Sequence, residues 1–144
     1  MCLSTYQYTP FIAEKDIVCY KTVFAPNDEF EMTSLFYGRK YKLNTVYTES
    51  AFLKTSEPND MTLSNMSGLG LRMVRNGFHS YAKRIDAYFM CSKIKNTVIL
   101  KCIIPKNSLY YSNNKIDDVH PCYCSDSIKI IAWKKPNSLF WKKK

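Results

Sequence analysis

Two histidines and six cysteines are the side chains in this 144-residue chain best suited to covalent or metal chemistry. His120, Cys122 and Cys124 fall together in the run HPCYC, and an extended backbone turns both thiols to one side. Zinc is the ion such ligands suit, but a structural site needs four of them, usually in two pairs. Cys91 and Cys102 are too far apart in the chain to make a second pair, so thiols without a metal are expected. A thiolate also becomes a nucleophile beside a base that a third group orients. His79 and His120 are the available bases, and no cysteine-protease signature surrounds any cysteine.

A second kind of chemistry is anion recognition. Arg72, Arg75, Lys83, Arg84, Lys93, Lys95, Lys101 and Lys106 share their stretch with a single acid, Asp86. Aromatic residues among cations suit nucleotides and single strands, whose bases stack while their phosphates are neutralised. The contact set expected from this pattern is Tyr20, Arg72, Arg75, Phe78, Tyr81, Arg84 and Lys106, with Tyr110 and Tyr111 nearby. Lys142, Lys143 and Lys144, close to Trp133, Phe140 and Trp141, add charge at the end of the chain. A solvated lysine face is the alternative reading of the same residues. No helix-turn-helix, RNP or zinc-finger pattern accompanies them.

These residues must be positioned by a small set of elements. Residues 16–24 (DIVCYKTVF) alternate with β-branched residues and read as a strand. Residues 25–31 (APNDEFE) are a turn, and residues 35–48 are extended, broken near Gly38 and Asn44. Residues 49–76, rich in Ser, Thr, Asn and Pro, read as a long loop, with a short strand over 69–74. Ser80 stands before a helical pattern at 80–92 and is placed to cap it. Ala82, Ile85 and Tyr88 or Phe89 would make its apolar face, with Lys83, Arg84 and Asp86 opposite. Residues 97–104 are apolar on both faces and form a central strand that Pro105 stops. Residues 109–112 pair next, 113–121 form a polar loop, and 127–133 are a final strand. Five or six strands with one main helix make an α+β domain with a twisted, mainly antiparallel sheet. We assign the domain to residues 1–133 and a basic tail to 134–144.

Length and composition agree with one domain that buries a real core. Apolar residues make up 46% of the chain and aromatic ones 15%, which excludes a disordered composition. The start of the chain lacks a basic, apolar signal-peptide pattern, and no apolar run approaches the ~18 residues of a membrane span. A cytoplasmic protein with reduced thiols and no membrane association is expected. The net charge of +9 is uneven: residues 1–57 carry −1 and residues 58–144 carry +10. That asymmetry favours an anionic partner: a nucleotide, a nucleic acid or an acidic protein. There is no phosphate-cradling glycine loop, dinucleotide fingerprint or paired-carboxylate motif, and with 4 glycines such a loop has little material.

Two resemblances add to this. Tyr20-Lys21-Thr22 on the first long strand, Gly77-Phe78-His79-Ser80 before the helix, Ala82, Ala87 and Tyr88 within it, and Pro105-Lys106-Asn107 after the central strand resemble a degenerate ADP-ribosyltransferase-type domain. The resemblance implies a nicotinamide dinucleotide (NAD) held by Lys21, His79 and Ser80, with Lys21 where a His or Arg is usual. The catalytic Glu has no counterpart, since the late acids are Asp117, Asp118 and Asp126, one methylene shorter. Separately, KDIVCYK, GFHSY, VILKCIIPKNSLYYSN and SDSIKII resemble a small uncharacterised family from phages and gut bacteria, which implies a viral context in a host cytoplasm. The leading expectation is a non-enzymatic phage-type accessory protein that binds an anionic partner without a cofactor. A divergent NAD-using transferase and a minor virion structural protein are the alternatives.

Overall fold

Val98, Leu100, Cys102 and Ile104 alternate with Thr97 and Ile99, and nearly every one of them is buried. A strand apolar on both faces has to lie inside a sheet covered on both sides. The computed structural model describes residues 3–5, 9–25, 32–34, 40–49, 63–66, 71–74, 77–113 and 120–143. In it β10 (Thr97–Ile104) pairs antiparallel with β3 (Ile17–Phe24) along its whole length and with β13 (Ser127–Lys134) on its other side.

The sheet extends from this centre. Beyond β3 come β9 (Phe78–Tyr81), β12 (Cys122–Ser125), β11 (Leu109–Ser112) and the edge strand β2 (Phe11–Ile12). Beyond β13 lies β6 (Val46–Thr48), while β4 (Met32–Ser34) pairs with β3 and with β5 (Lys40–Tyr41). A second sheet holds β1 (Leu3–Thr5), β8 (Leu71–Val74) and β7 (Leu63–Met66). All described pairings are antiparallel, as expected, but the thirteen strands exceed the five or six read from the sequence. The excess is mostly strands of two to four residues, too short for alternation to show.

The single described helix, α1 (Arg84–Lys93), covers one face. Two core clusters result. Cys19, Val23, Leu100, Cys102, Ile128 and Trp133 fill the face away from the helix, and Tyr81, Ala87, Cys91, Ile99, Cys122 and Cys124 fill the helix face. Each large apolar side chain buried in them contributes about 1.5–3 kcal/mol. Val74 brings the small sheet into the helix-side cluster.

The helix starts later and is turned differently than its pattern suggests. Ser80 is not its cap: Phe78, His79, Ser80 and Tyr81 pair with Ser125, Cys124, Tyr123 and Cys122, so their backbone groups are committed to the ladder. Lys83 occupies the cap position without a side-chain cap bond. Ile85 and Phe89 are exposed at 70% and 50%, and the buried face is Asp86, Ala87 and Cys91.

Residues in left-handed backbone mark the turns. Gly77 has φ 126 ahead of β9, a conformation with low steric cost only without a Cβ. Asn44, Asn96 and Asn107 have φ of 57, 60 and 73, the region where asparagine is enriched. The chain end does not run free. Trp133 and Lys142 exchange two backbone hydrogen bonds of 2.9 and 2.7 Å, which folds the terminal segment back along β13. No described helix is long and apolar enough to cross a membrane.

Candidate functional site

The residues expected to hold a dinucleotide lie in the sheet, not on an open cleft. Lys21 and Ser80 share the face of Cys19, and Lys21 and Ser80 are 8% and 1% exposed. The Lys21 Nζ donates to the His79 carbonyl oxygen and sits 5.5 Å from the Tyr41 ring. His79 points to the other face, where its Nε2 is 3.7 Å from Cys124 Sγ, both groups buried. Phe78 and Tyr81 are core residues, and Tyr20 is half-buried against Trp141. Arg84 and Lys106 are exposed but belong to different places. Arg84 opens α1, whereas Lys106 is in the turn after β10, where its N–H donates to Asp16 Oδ1 at 2.8 Å. Arg72 is placed only by its backbone in β8, and Arg75 lies outside the described residues. Asp117 and Asp118 also lie outside them.

Three arrangements could do chemistry, and the first is a groove. Its cavity of about 540 Å³ opens where α1, β3 and β13 end and β10 begins, and Cys91, Lys95, Asn96, Trp133, Lys135 and Asn137 line it. That volume lies in the range of small-molecule sites. Lys95 and Lys135 supply its charge, and no carboxylate lines it among the described residues. The C-terminus of α1 points about half a negative charge toward it, which two ammonium groups outweigh.

Beside the groove a β-bulge creates a second cationic feature. Lys101 opposes Ala132 but Cys102 opposes Ile130, so Ile131 is an extra residue in β13. One extra residue moves every later side chain to the opposite face. Trp133 therefore joins the face of Ile128 and Ile130, and Lys134 turns toward α1. There the Lys134 Nζ lies 4.7 Å from the Tyr88 ring and 5.3 Å from the Trp141 ring, and donates to the Ser138 carbonyl at 3.2 Å. Lys101 Nζ lies 5.9 Å from the same Trp141 ring, which itself packs on Tyr20. Lys134 is 4% exposed and has no carboxylate partner among the described residues. Ring faces and one carbonyl hold its charge, leaving the positive potential uncancelled. The tail expected to add loose charge is thus the lid of this cluster.

The third arrangement joins a buried acid to an exposed base. His120 Nδ1 is 2.7 Å from Asp86 Oδ1; the Asp86 side chain is 8% exposed and that of His120 63%. Asp86 Oδ2 is buried without a hydrogen-bond partner. Asn113 fixes the backbone beside the imidazole. Its Nδ2 donates to the His120 carbonyl at 3.0 Å, and its Oδ1 accepts from the Cys122 N–H at 2.7 Å. Asp86 also acts on its neighbours. Burial and then the Asp86 charge push the Cys122 thiol up to about 11. Burial, with Cys122 and Asp86 adding to it, pushes Tyr81 up to about 12. The sequence pattern set Asp86 on the solvent face; nothing in the helical spacing marks a buried acid waiting for a histidine 34 positions on.

The cysteines behave as core residues. The five described ones form no disulfide. Cys122 and Cys124 do face one side, as their spacing implied, and both are in the helix-face core. No group of three or more metal-ligating residues occurs among the described residues. Cys19 and Cys102 oppose each other across β3 and β10. Burial disfavours a Cys19 thiolate, but hydrogen bonding with Cys102 and Ser80 and the Lys21 charge outweigh it and hold that thiol below its ordinary value. Cys102 is pushed well up, by burial first and then by Cys19. Both thiols are 0% exposed, so this polarised pair is sealed from reagents. Comparison with protein-family models, with curated proteins and with solved structures finds no match to this chain.

Proposed function

We propose that this chain binds an anionic polymer, single-stranded nucleic acid, through the groove at the C-terminal end of α1 and the cation–aromatic cluster beside it. The observation that carries the reading is a cluster of three lysines: Lys95 and Lys135 charge the groove, and Lys134, buried beside it among aromatic rings, has no carboxylate partner among the described residues. A phosphate seated in the groove would meet Lys95 and Lys135 directly and lie within the positive potential of Lys134 beside them. Asn96 and Asn137 offer amides for base edges, and Phe140, 78% exposed, offers a ring for stacking. The +10 balance of residues 58–144 supports steering toward such a ligand. The phage-type accessory role belongs to this proposal as its biological setting.

The NAD-transferase alternative draws less support. Lys21 is already engaged by the His79 carbonyl inside the core, so a dinucleotide would have to open the sheet to reach it. The test is fluorescence anisotropy with labelled RNA and DNA oligonucleotides, mononucleotides and NAD at two salt concentrations. Oligonucleotide binding that weakens with salt, and weakens further in Lys95→Ala/Lys135→Ala with a shallower salt slope, is the expected result. Binding of NAD alone, or oligonucleotide binding indifferent to both lysines, would overturn the reading.

A further inference from the structure

We infer that His120, oriented by Asp86, is the general base of an RNA-cleaving site on the exposed face of α1. The assignment rests on the nucleic-acid reading for its substrate class and goes beyond it in adding a reaction.

The geometry is that of a prepared base. His120 Nδ1 is 2.7 Å from Asp86 Oδ1 on a ring that is mostly exposed; a carboxylate accepts from Nδ1–H, and in that tautomer Nε2 is the nitrogen that takes a proton. Asn113 holds the backbone on either side of Pro121 and Asp86 holds the ring, so the imidazole has little freedom left. Keeping Asp86 buried with Oδ2 unpartnered costs the fold stability and does nothing for packing.

The surface leading to His120 suits a single strand. The Phe89 ring centroid is 6.1 Å from that of His120, and the residue is 50% exposed, so a base can reach the aromatic surface beside the imidazole. Lys93 Nζ lies 4.4 Å from the same ring, where it can meet the adjoining phosphate. One residue beyond Lys93 the groove begins, at Ile94 and Lys95. A strand seated in the groove and running back along α1, which is about 15 Å long, passes Lys93 and Phe89 before it reaches His120.

RNA carries its own nucleophile, the ribose 2′-hydroxyl. His120 Nε2 takes the proton of a ribose 2′-hydroxyl. That oxygen forms a bond to the adjacent phosphorus, and the bond from phosphorus to the 5′-oxygen breaks. The departing 5′-oxygen keeps the electron pair and takes a proton from water, and the imidazolium returns its proton to solvent. Lys93 neutralises charge on the phosphorane. The products are a 2′,3′-cyclic phosphate and a 5′-hydroxyl, and DNA, lacking the 2′-hydroxyl, is bound but not cut.

The experiment incubates the full chain with a doubly labelled RNA oligonucleotide and its DNA counterpart, while anisotropy reports binding in parallel. We expect cleavage of RNA alone, with cyclic-phosphate ends. His120→Ala loses about 10²- to 10⁴-fold in rate, the usual contribution of a general base, and added free imidazole restores part of it. His120→Gln, which can still donate to Asp86, keeps the fold and stays inactive. Asp86→Asn lowers kcat with KM unchanged, as a positioning residue should. RNA bound but left intact by the wild-type chain overturns the assignment, as does cleavage that survives in both His120 variants. RNA neither bound nor cut removes the binding reading and this assignment with it, and the anisotropy arm tells the two failures apart.

Discussion

His120 reaches 2.7 Å from the exposed surface to Asp86 in the first turn of the helix, and among the described residues it is the one side chain that relieves the buried carboxylate. The two residues therefore matter unequally to stability. Truncating His120 leaves Asp86 wholly unpaired, and an unsatisfied buried group costs about 1–3 kcal/mol. His120→Ala is expected near the lower end, because the exposed imidazole contributes little packing of its own. Adding Asp86→Ala to that variant removes the orphaned charge and should recover most of the loss. Urea unfolding of the two single variants and the double variant measures the coupling, and purely additive losses would show that the contact is incidental.

Lys134 should show the opposite conflict. Its ammonium is desolvated against Tyr88 and Trp141 without a carboxylate. A buried ammonium without a counter-charge bears a desolvation cost that an apolar side chain of similar length does not. Lys134→Met is thus expected to hold or raise the melting temperature while weakening oligonucleotide binding and its salt dependence. A variant that melts lower and binds as before would mean that the cation serves the fold alone. Trp141→Ala removes one ring of the same site and should weaken binding together with stability.

What the sequence revealed follows the length of each element. β3, β10 and β13 were readable within a residue or two, because each runs for eight residues of apolar or β-branched alternation and Pro105 stops β10. β12 was not: Cys122, Tyr123 and Cys124 drew attention as possible ligands, and four residues show no period. Ser80 looked like a cap because hydroxyls cap helices, but its backbone was already committed to Tyr123 across the ladder. Ile85 and Phe89 fixed the wrong helix face, since spacing alone cannot tell an apolar stripe that packs from one left exposed. The position of Lys134 depends on a bulge at Ile131 that no local signal announces. Most of residues 49–76 lies outside the described set, apart from β7 and β8.

Cys122 tests the reach of the Asp86 charge. Its thiol is pushed up to about 11, first by burial and then by Asp86. Alkylation follows the thiolate fraction, and each unit of pKa is tenfold in that fraction. Cys122 should therefore resist iodoacetamide through neutral and mildly alkaline pH. Asp86→Asn keeps the side-chain shape and removes the charge, so Cys122 should label measurably faster in that variant at equal global stability. Peptide mass spectrometry reads this directly, and equal labelling rates would assign the shift to burial alone.

Asp126 makes the clearest pH prediction. Its carboxyl is raised above the usual value of 3.8 by burial, partly offset by the Leu109 N–H that Oδ1 accepts at 3.0 Å. A raised folded-state value means that the native chain holds this proton more tightly than the unfolded chain does. The resulting contribution to stability is fully present below about pH 3.8 and is lost as pH rises through the folded-state value. Asp126→Asn keeps an oxygen for Leu109 and removes the titration. The stability of the wild type minus that of the variant should then fall as pH rises through the acid range and level off by neutrality. Other carboxylates cancel in that difference where they are distant from the site. A difference that grows with pH would mean that Asp126 is held ionised by partners stronger than its burial.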